Sequence, residues 1–130
     1  MDIGQRALDY HKSGYNCAQS VFAACCEYTG MDKKTALALS AGFGGGARSG
    51  ELCGAVTGAI MAEGLVFPFN DGSDTEAKDK IATIAKQCVA IAREKYGYVR
   101  CADLKGNINC SEIIAFMAKT AEDIMKKEKN

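Results

Sequence analysis

The 130-residue chain lacks tryptophan, has one proline (Pro68) and one histidine (His11), and carries no net charge, with 16 basic and 16 acidic residues. Balanced charge leaves no basic surface for nucleic acid or an anionic membrane, so neither partner is expected. No apolar run approaches the roughly 20 residues of a membrane span, so membrane insertion is not expected either. With no second histidine in the chain, His11 is expected to be a surface or packing residue.

The amino-terminal residues also lack the apolar segment of a secretory signal. Seven cysteines without such a signal favour a reducing compartment, where thiols serve metal or redox chemistry more often than a disulfide framework. An odd number of cysteines also fits poorly with complete pairing. We therefore expect a cytoplasmic protein that folds as one domain over residues 1–130.

The spacing of the apolar residues is helical, and no segment alternates between apolar and polar residues as a half-buried strand would. This predicts an all-α fold: a single-domain bundle of about six helices with a glycine-rich loop before the central helix. Helices are predicted at residues 2–12, 17–29, 33–40, from 52–53 onward, 75–96 and from 110 onward. Segment 98–108 is predicted to be irregular.

Two cysteines follow an asparagine that can cap a helix. In Asn16-Cys17-Ala18-Gln19 the asparagine and glutamine have the spacing of a capping box, which predicts Cys17 as the first residue of a helix. The segment Asn109-Cys110-Ser111-Glu112 repeats this pattern at the start of the last helix. Both cysteines are therefore predicted to stand at helix amino termini.

A third cysteine, Cys53, follows the glycine-rich segment 42–50 at the point where the pattern becomes apolar and helical. The segment does not read GxxxxGK[ST] and follows no predicted strand, so a phosphate-binding loop is not expected. Glycines instead let other backbone approach Cys53 closely. After Cys53, small residues recur every four positions, at Gly54, Gly58 and Ala62, and this stripe is expected to pack against another helix of the chain or of a second subunit.

These placements predict thiolate character. A free cysteine has a pKa near 8.5, and a favourable helix amino terminus, worth up to about 2 kcal/mol, lowers it by roughly 1.5 units. One such placement could bring a thiol close to half ionised at neutral pH. Arg48 is expected to add to this effect at Cys53 if the glycine-rich loop folds back.

The other cysteines divide differently. Cys25, Cys26 and Cys88 lie within predicted helices, and burial as small apolar residues is the preferred interpretation for them. Cys101 lies in the predicted irregular segment and is undecided on spacing alone. Zinc sites normally contain close ligand pairs, which Cys17, Cys53, Cys101 and Cys110 lack. Iron–sulfur clusters can take four thiolates from distant segments, so that alternative stays open.

Four features occur in one order along the chain: Asn16-Cys17-Ala18-Gln19, Gly42-Phe43-Gly44-Gly45-Gly46, Cys53-Gly54-Ala55-Val56-Thr57-Gly58, and finally Cys101 and Cys110. In this order the chain resembles the C-GCAxxG-C-C family of small bacterial redox-active proteins, which are marked by a CGAxxG motif and four cysteines. The resemblance covers about residues 10–125. It implies a site made of Cys17, Cys53, Cys101 and Cys110, and it is what adds Cys101 to that site.

The sequence therefore leads to the hypothesis of a cytoplasmic all-α redox protein with a four-cysteine site, in which Cys53 is the first candidate for nucleophile or ligand. Two mechanisms remain open: thiol/disulfide exchange, or electron transfer by an iron–sulfur cluster or another metal bound to the four cysteines. The alternative is a non-catalytic helical module, a homodimer packed through Gly54, Gly58 and Ala62, with structural cysteines. The sequence assigns no enzymatic reaction, substrate or electron partner.

Overall fold

The computed structural model describes residues 2–129, with side chains for 2–128; Met1 and Asn130 lie outside the described residues. Over this range the chain forms α1 (Ile3–Lys12), α2 (Cys17–Ala24), α3 (Cys26–Thr29), α4 (Lys33–Ser40), α5 (Gly54–Val66), α6 (Thr75–Tyr96), α7 (Cys101–Leu104) and α8 (Cys110–Lys129). Six of these helices have eight or more residues, and residues 2–129 contain no strand. The predicted all-α fold is confirmed. No helix in this range is long and apolar enough to cross a membrane.

Helix α5 is the centre of the fold. It packs against α2 on one side and against α8 and α6 on others, while α1 lies across α2 and α8. Its sequence explains this position, because Glu63 is its only charged residue and most of its other side chains are apolar or absent. A helix that is apolar on all sides is stable only when it is surrounded.

The small residues of α5 form the contact with α2. A Cβ atom added to Gly58 would lie 2.7 Å from the carbonyl oxygen of Ala18 and 3.2 Å from Cβ of Val21, and Ala62 is completely buried. The predicted stripe therefore does pack against a helix, and that helix belongs to the same chain. Because α2 covers this face, the homodimer predicted as an alternative has no such surface available.

The predicted helix 17–29 is broken at Cys25. The backbone N–H of Cys25 donates to the carbonyl oxygen of Phe22 at 3.1 Å, which tightens the turn, and α3 then runs to Gly30, whose φ of 73° is left-handed. The capping box at the start of α2 is confirmed. The side chain of Asn16 accepts from the N–H of Gln19 at 2.9 Å, and the side chain of Gln19 accepts from the N–H of Asn16 at 3.0 Å.

The two long helices differ in how much of their length is buried. On α8 the apolar face is buried except for Phe116, which is half-buried. On α6 only Ile84, Cys88 and Ala92 are buried, because the helix packs mainly on α5 and meets α8 over a short distance. Ala77, Ile81 and Ile91 of α6 are half-buried.

Candidate functional site

Each of the four cysteines of the predicted site stands at the start of a helix. Cys17 is the first residue of α2, Cys101 of α7 and Cys110 of α8, and Cys53 is the residue directly before α5. The segment around Cys101 was expected to be irregular, and this part of the prediction was wrong. Residues Cys101–Leu104 instead form the short helix α7. At its end the N–H of Lys105 donates to the carbonyl oxygen of Cys101 at 2.9 Å.

The four side chains line one small cavity, which we call the cysteine pocket. Its free volume is about 30 Å³, which is the space of a single water molecule. The rest of its wall is largely apolar. The residues that line it are Cys17, Cys53, Ala55, Cys101, Leu104, Lys105, Cys110 and Ile113.

Gly54 brings α2 close enough for Cys17 to reach this pocket. A Cβ atom at position 54 would lie 2.5 Å from the Sγ atom of Cys17 and 2.9 Å from the carbonyl oxygen of Phe43. Only glycine leaves room for that sulfur, because real Cβ atoms do not make contacts this short. Gly54, which follows Cys53 in the CGAxxG motif, therefore lets the Cys17 sulfur pack against the start of α5.

A short backbone ribbon holds Cys53 and Cys101 side by side. The N–H of Cys53 donates to the carbonyl oxygen of Val99 at 2.8 Å, and the N–H of Cys101 donates to that of Glu51 at 2.7 Å. Leu52 and Arg100 lie opposite each other between these two bonds, as an isolated antiparallel bridge. Main-chain hydrogen bonds therefore fix this side of the pocket.

The glycine-rich segment reaches the pocket through a left-handed turn. Gly45, Gly46, Ala47 and Arg48 have φ values of 64°, 66°, 57° and 61°, and the N–H of Glu51 closes the turn on the carbonyl oxygen of Gly46 at 3.1 Å. Two of these residues are not glycine, so the turn holds backbone strain of about 1–2 kcal/mol for each of them. The turn leads directly into residues 51–53, which form one side of the backbone ribbon.

Exposure differs widely among the four cysteines. Cys53 is 6% exposed, Cys17 and Cys101 are half-buried, and Cys110 is exposed. Since a thiol meets a macromolecular partner only at the surface, Cys110 is the accessible end of the pocket and Cys53 its closed end. The sequence favoured Cys53 as the first candidate, because it carries no signal for how deeply each sulfur is buried.

Burial raises the pKa of the Cys53 thiol to about 11. The backbone N–H groups of Ala55 and Val56 act in the opposite direction, and the charges of Cys17 and Cys101 raise the pKa further. The prediction that the helix start would ionise Cys53 near neutral pH is therefore wrong. Withdrawal of the sulfur from water outweighs its stabilisation by the two N–H groups. Arg48 is exposed on the loop, and the charges that reach Cys53 are those of its neighbouring thiols.

Cys101 occupies an intermediate position between the other sulfurs. Burial raises the pKa of its thiol, the charges of Cys17 and Cys110 raise it further, and Lys105 lowers it. Cys101 is therefore within electrostatic reach of Cys17 and Cys110, while Cys53 is within reach of Cys17 and Cys101. All four sulfurs belong to one interacting group.

A metal centre would need the sulfurs to converge on one point. Within residues 2–129, no group of three or more His, Cys, Asp or Glu side chains is arranged to hold a metal ion. The structure therefore gives no support for a bound cluster or zinc ion over residues 2–129, and the metal role of the four cysteines stays a prediction.

Sequence reasoning missed two buried polar residues, Glu63 in the core and Tyr96 at the end of α6. Glu63 is completely buried, and neither carboxyl oxygen has a hydrogen-bond partner among the described residues. The hydroxyl of Tyr96 is also buried without a hydrogen bond there, and burial raises its pKa, with contributions from the charges of Glu112 and Cys53. The signal available for Glu63 was its position as the only charge on an apolar helix. Tyr96 closes the longest helix and gave no such signal.

No curated protein and no solved structure matches this chain. A family model described as "Putative redox-active protein (C_GCAxxG_C_C)" matches residues 15–124, a segment that contains all four cysteines of the pocket. The match covers most of the chain and confirms the resemblance drawn from the CGAxxG motif. The chain therefore belongs to the C_GCAxxG_C_C family.

Proposed function

We propose that this protein is a thiol–disulfide redox protein whose working site is the cysteine pocket. The observation that carries the proposal is the meeting of four cysteines from separate helix starts in one small cavity, with exposure falling from Cys110 to Cys53. In such an arrangement the exposed sulfur can react with a partner disulfide, and the disulfide can then pass to the more buried thiols. Seven thiols are best kept reduced in the cytoplasm, where we place the protein.

Cys110 takes the first step. It is the exposed member of the pocket and the first residue of the 20-residue helix α8, so a partner disulfide can reach its sulfur. Its thiolate attacks one sulfur of a partner disulfide, R–S–S–R′; the S–S bond breaks, a mixed disulfide of Cys110 with RS forms, and R′S⁻ leaves with the electron pair. This moves the role of first nucleophile from Cys53, which the sequence favoured, to the accessible Cys110.

Cys101 resolves the mixed disulfide. It gives up its proton to water and attacks the Cys110 sulfur, so that a Cys101–Cys110 disulfide forms and RS⁻ leaves. The partner disulfide has then been reduced to two thiols by the two electrons of Cys101 and Cys110. Cys101 suits this role because it lines the same small cavity as Cys110 and is half-buried, which keeps it behind the exposed sulfur.

Cys17 and Cys53 form the second pair. The Cys17 sulfur packs against Gly54, the residue next to Cys53, and the charge of Cys17 raises the Cys53 pKa. The raised pKa makes Cys53 a slow attacking group at neutral pH. We therefore assign it to the second disulfide: Cys17 and Cys53 reduce Cys101–Cys110 back to two thiols as Cys17–Cys53 forms, and a second partner disulfide then oxidises Cys101 and Cys110 again.

The test begins with protein purified without oxygen. We expect a colourless sample without iron, with seven free thiols that fall to three on incubation with oxidised glutathione, and peptide mapping that finds Cys101–Cys110 and Cys17–Cys53 linked. Cys110→Ser should strongly slow the first loss of thiol, whereas Cys26→Ser, a half-buried cysteine outside the pocket, should leave it unchanged.

Two other outcomes would overturn this proposal. Bound iron with a visible absorption band would instead support cluster-based electron transfer. Seven thiols that stay unchanged in the folded protein, with Cys53→Ser altering stability alone, would support a non-catalytic helical module.

A further inference from the structure

Lys105 is the charged residue in the wall of the cysteine pocket. It lines the cavity together with the four cysteines, and the other wall residues, Ala55, Leu104 and Ile113, are apolar. The side chain of Lys105 is exposed. A lysine in such a position lays its carbon stem along an apolar wall and keeps its ammonium group in water at the mouth of the cavity.

The backbone around Lys105 fixes it between the two cysteines that exchange first. Its N–H donates to the carbonyl oxygen of Cys101 at 2.9 Å, and residues four apart in a helical turn lie on the same face. The N–H of Ile108 donates to the carbonyl oxygen of Leu104 at 2.9 Å, which closes the next turn as well. Helix α8 then begins at Cys110. Main-chain hydrogen bonds therefore hold Lys105 in the segment that joins Cys101 to Cys110.

The charge of Lys105 is not neutralised by a carboxylate. Among the residues whose side chains the structure describes, Lys105 forms no ion pair. The other cation of this segment differs, because Arg100 lies 3.4 Å from Glu51 and 4.0 Å from Asp103. Of the two cations that flank Cys101 in the sequence, Lys105 is therefore the unpaired one, and it is also the one that lines the pocket.

The exchange reaction places negative charge on the sulfurs of this cavity. When Cys101 attacks the mixed disulfide on Cys110, one negative charge is shared by the Cys101 sulfur, the Cys110 sulfur and the leaving RS group. Two of these three sulfurs line the cavity that Lys105 lines. A positive charge fixed beside them stabilises the negative charge as it spreads. The pKa of the Cys101 thiol agrees: burial and the charges of Cys17 and Cys110 raise it, and Lys105 lowers it.

We propose that Lys105 stabilises the negative charge on the pocket sulfurs while Cys101 resolves the mixed disulfide of Cys110. This inference rests on the function proposed for the cysteine pocket and adds a residue to that reaction. In the resolving step the Cys101–Cys110 bond forms, the bond between Cys110 and the RS sulfur breaks, and RS⁻ leaves with the electron pair. Lys105 keeps its protons throughout and acts through its charge alone.

The experiment follows the resolving step by itself. Fully reduced protein is mixed with bis(2-hydroxyethyl) disulfide, a neutral probe that offers no carboxylate to a lysine. Intact-mass spectrometry follows the mixed disulfide as it converts to the internal disulfide, and peptide mapping locates it on Cys110. We expect Lys105→Met to slow this conversion about fivefold, which is the scale of an exposed ionic interaction.

Two further measurements separate the charge of Lys105 from a structural role. Lys105→Arg should restore the wild-type rate, because it keeps the positive charge. High salt should slow the wild-type protein toward the rate of Lys105→Met and leave that variant unchanged, because salt screens an exposed charge. Arg100→Met is the matched control, since it removes the paired cation on the other side of Cys101, and it should resolve at the wild-type rate.

The proposal is overturned if Lys105→Met resolves the neutral mixed disulfide at the wild-type rate, or if Arg100→Met slows the step equally. It is also overturned if Lys105→Met is slow with oxidised glutathione alone, because Lys105 would then bind carboxylates of the partner. A wild-type protein that forms neither a mixed nor an internal disulfide with either probe overturns the function proposed for the pocket and this inference with it. That result is distinct from a wild type that reacts and a variant that matches it, which removes the role of Lys105 alone.

Discussion

The cysteine pocket and the buried carboxyl of Glu63 lie toward opposite ends of α5. At a rise of about 1.5 Å per residue, Cys53 and Glu63 are roughly 15 Å apart along the helix. The pocket is open at Cys110 and its thiols act on one another, whereas Glu63 is completely buried and has no hydrogen-bond partner among the described residues. All four pocket thiols stand at helix starts, yet they differ in exposure, and we expect their reactivities to differ with it. Burial, more than helix position, decides which sulfur ionises.

The largest effect that would sharpen this comparison is the pH dependence of Cys53. Since only the thiolate is alkylated, a pKa of about 11 predicts a rate with iodoacetamide that rises about tenfold per pH unit, or roughly ten-thousandfold from pH 7 to 11. Residue-resolved mass spectrometry of partially alkylated protein measures this, with Cys110 expected to react first at pH 7. A Cys53 rate that levels off below pH 9 would mean that the helix start, and not burial, controls this sulfur.

The next effect concerns Glu63 and stability. Its pKa is about 8 in the folded protein and near 4.5 when unfolded, so its contribution is fully present below pH 4.5 and is lost as the pH rises to 8. At about 1.36 kcal/mol per unit, this amounts to roughly 5 kcal/mol. Urea unfolding of wild type and Glu63→Gln should differ by this amount between pH 4.5 and 8, with wild type losing stability. Parallel curves for the two proteins would contradict burial of an ionisable carboxyl, and Glu94→Gln is the exposed control.

A smaller effect tests the contact of α2 with α5, which holds Cys17 beside Cys53. Gly58→Ala places a Cβ against Ala18 and Val21 and should lower the free energy of unfolding by about 1–3 kcal/mol. Gly64→Ala on the same helix meets open space and should raise it by about 0.5–1 kcal/mol, through helix propensity. Denaturant unfolding measures both. Equal effects of the two substitutions would show that α2 does not press on α5 at this face.

The smallest effect concerns the surface of the pocket. The ion pair between Arg100 and Glu51 spans 3.4 Å with both side chains more than half exposed, so Arg100→Ala should change stability by less than about 0.5 kcal/mol. The alkylation rate of Cys101 should also stay unchanged, because backbone hydrogen bonds hold its segment. A marked rise in that rate would mean that the Arg100–Glu51 ion pair, and not the backbone hydrogen bonds, closes this side of the pocket.

The fold was largely predictable because its signals are local. Capping residues such as Asn16, Asp32 and Asp74 and terminal glycines such as Gly30 and Gly97 mark helix ends within a few residues. The break at Cys25 was not predictable, because apolar spacing continues through it and the tighter turn leaves no mark in the residue types.

The site was predictable only in its membership. The CGAxxG motif and the family resemblance named the four pocket cysteines, because their identities are written in the sequence. Their exposures depend on how distant segments pack, so the sequence could not tell Cys53 from Cys110. Glu63 and Cys88 lie on different helices and are 25 positions apart, and the sequence of neither helix indicates the position of the other residue. Electrostatic surroundings of this kind exist only after the chain has folded.

The backbone ribbon beside the pocket also constrains the order of folding. It joins the segment around Leu52 to the segment around Arg100, and so closes a loop of roughly 50 residues that contains all of α5 and α6. Such a closure costs roughly 3 kcal/mol of chain entropy before any contact forms. During synthesis Cys17 and Cys53 emerge well before Cys101 and Cys110, so half of the site must wait as open thiols for the other half. The pocket lined by all four cysteines is therefore complete only after this loop has closed.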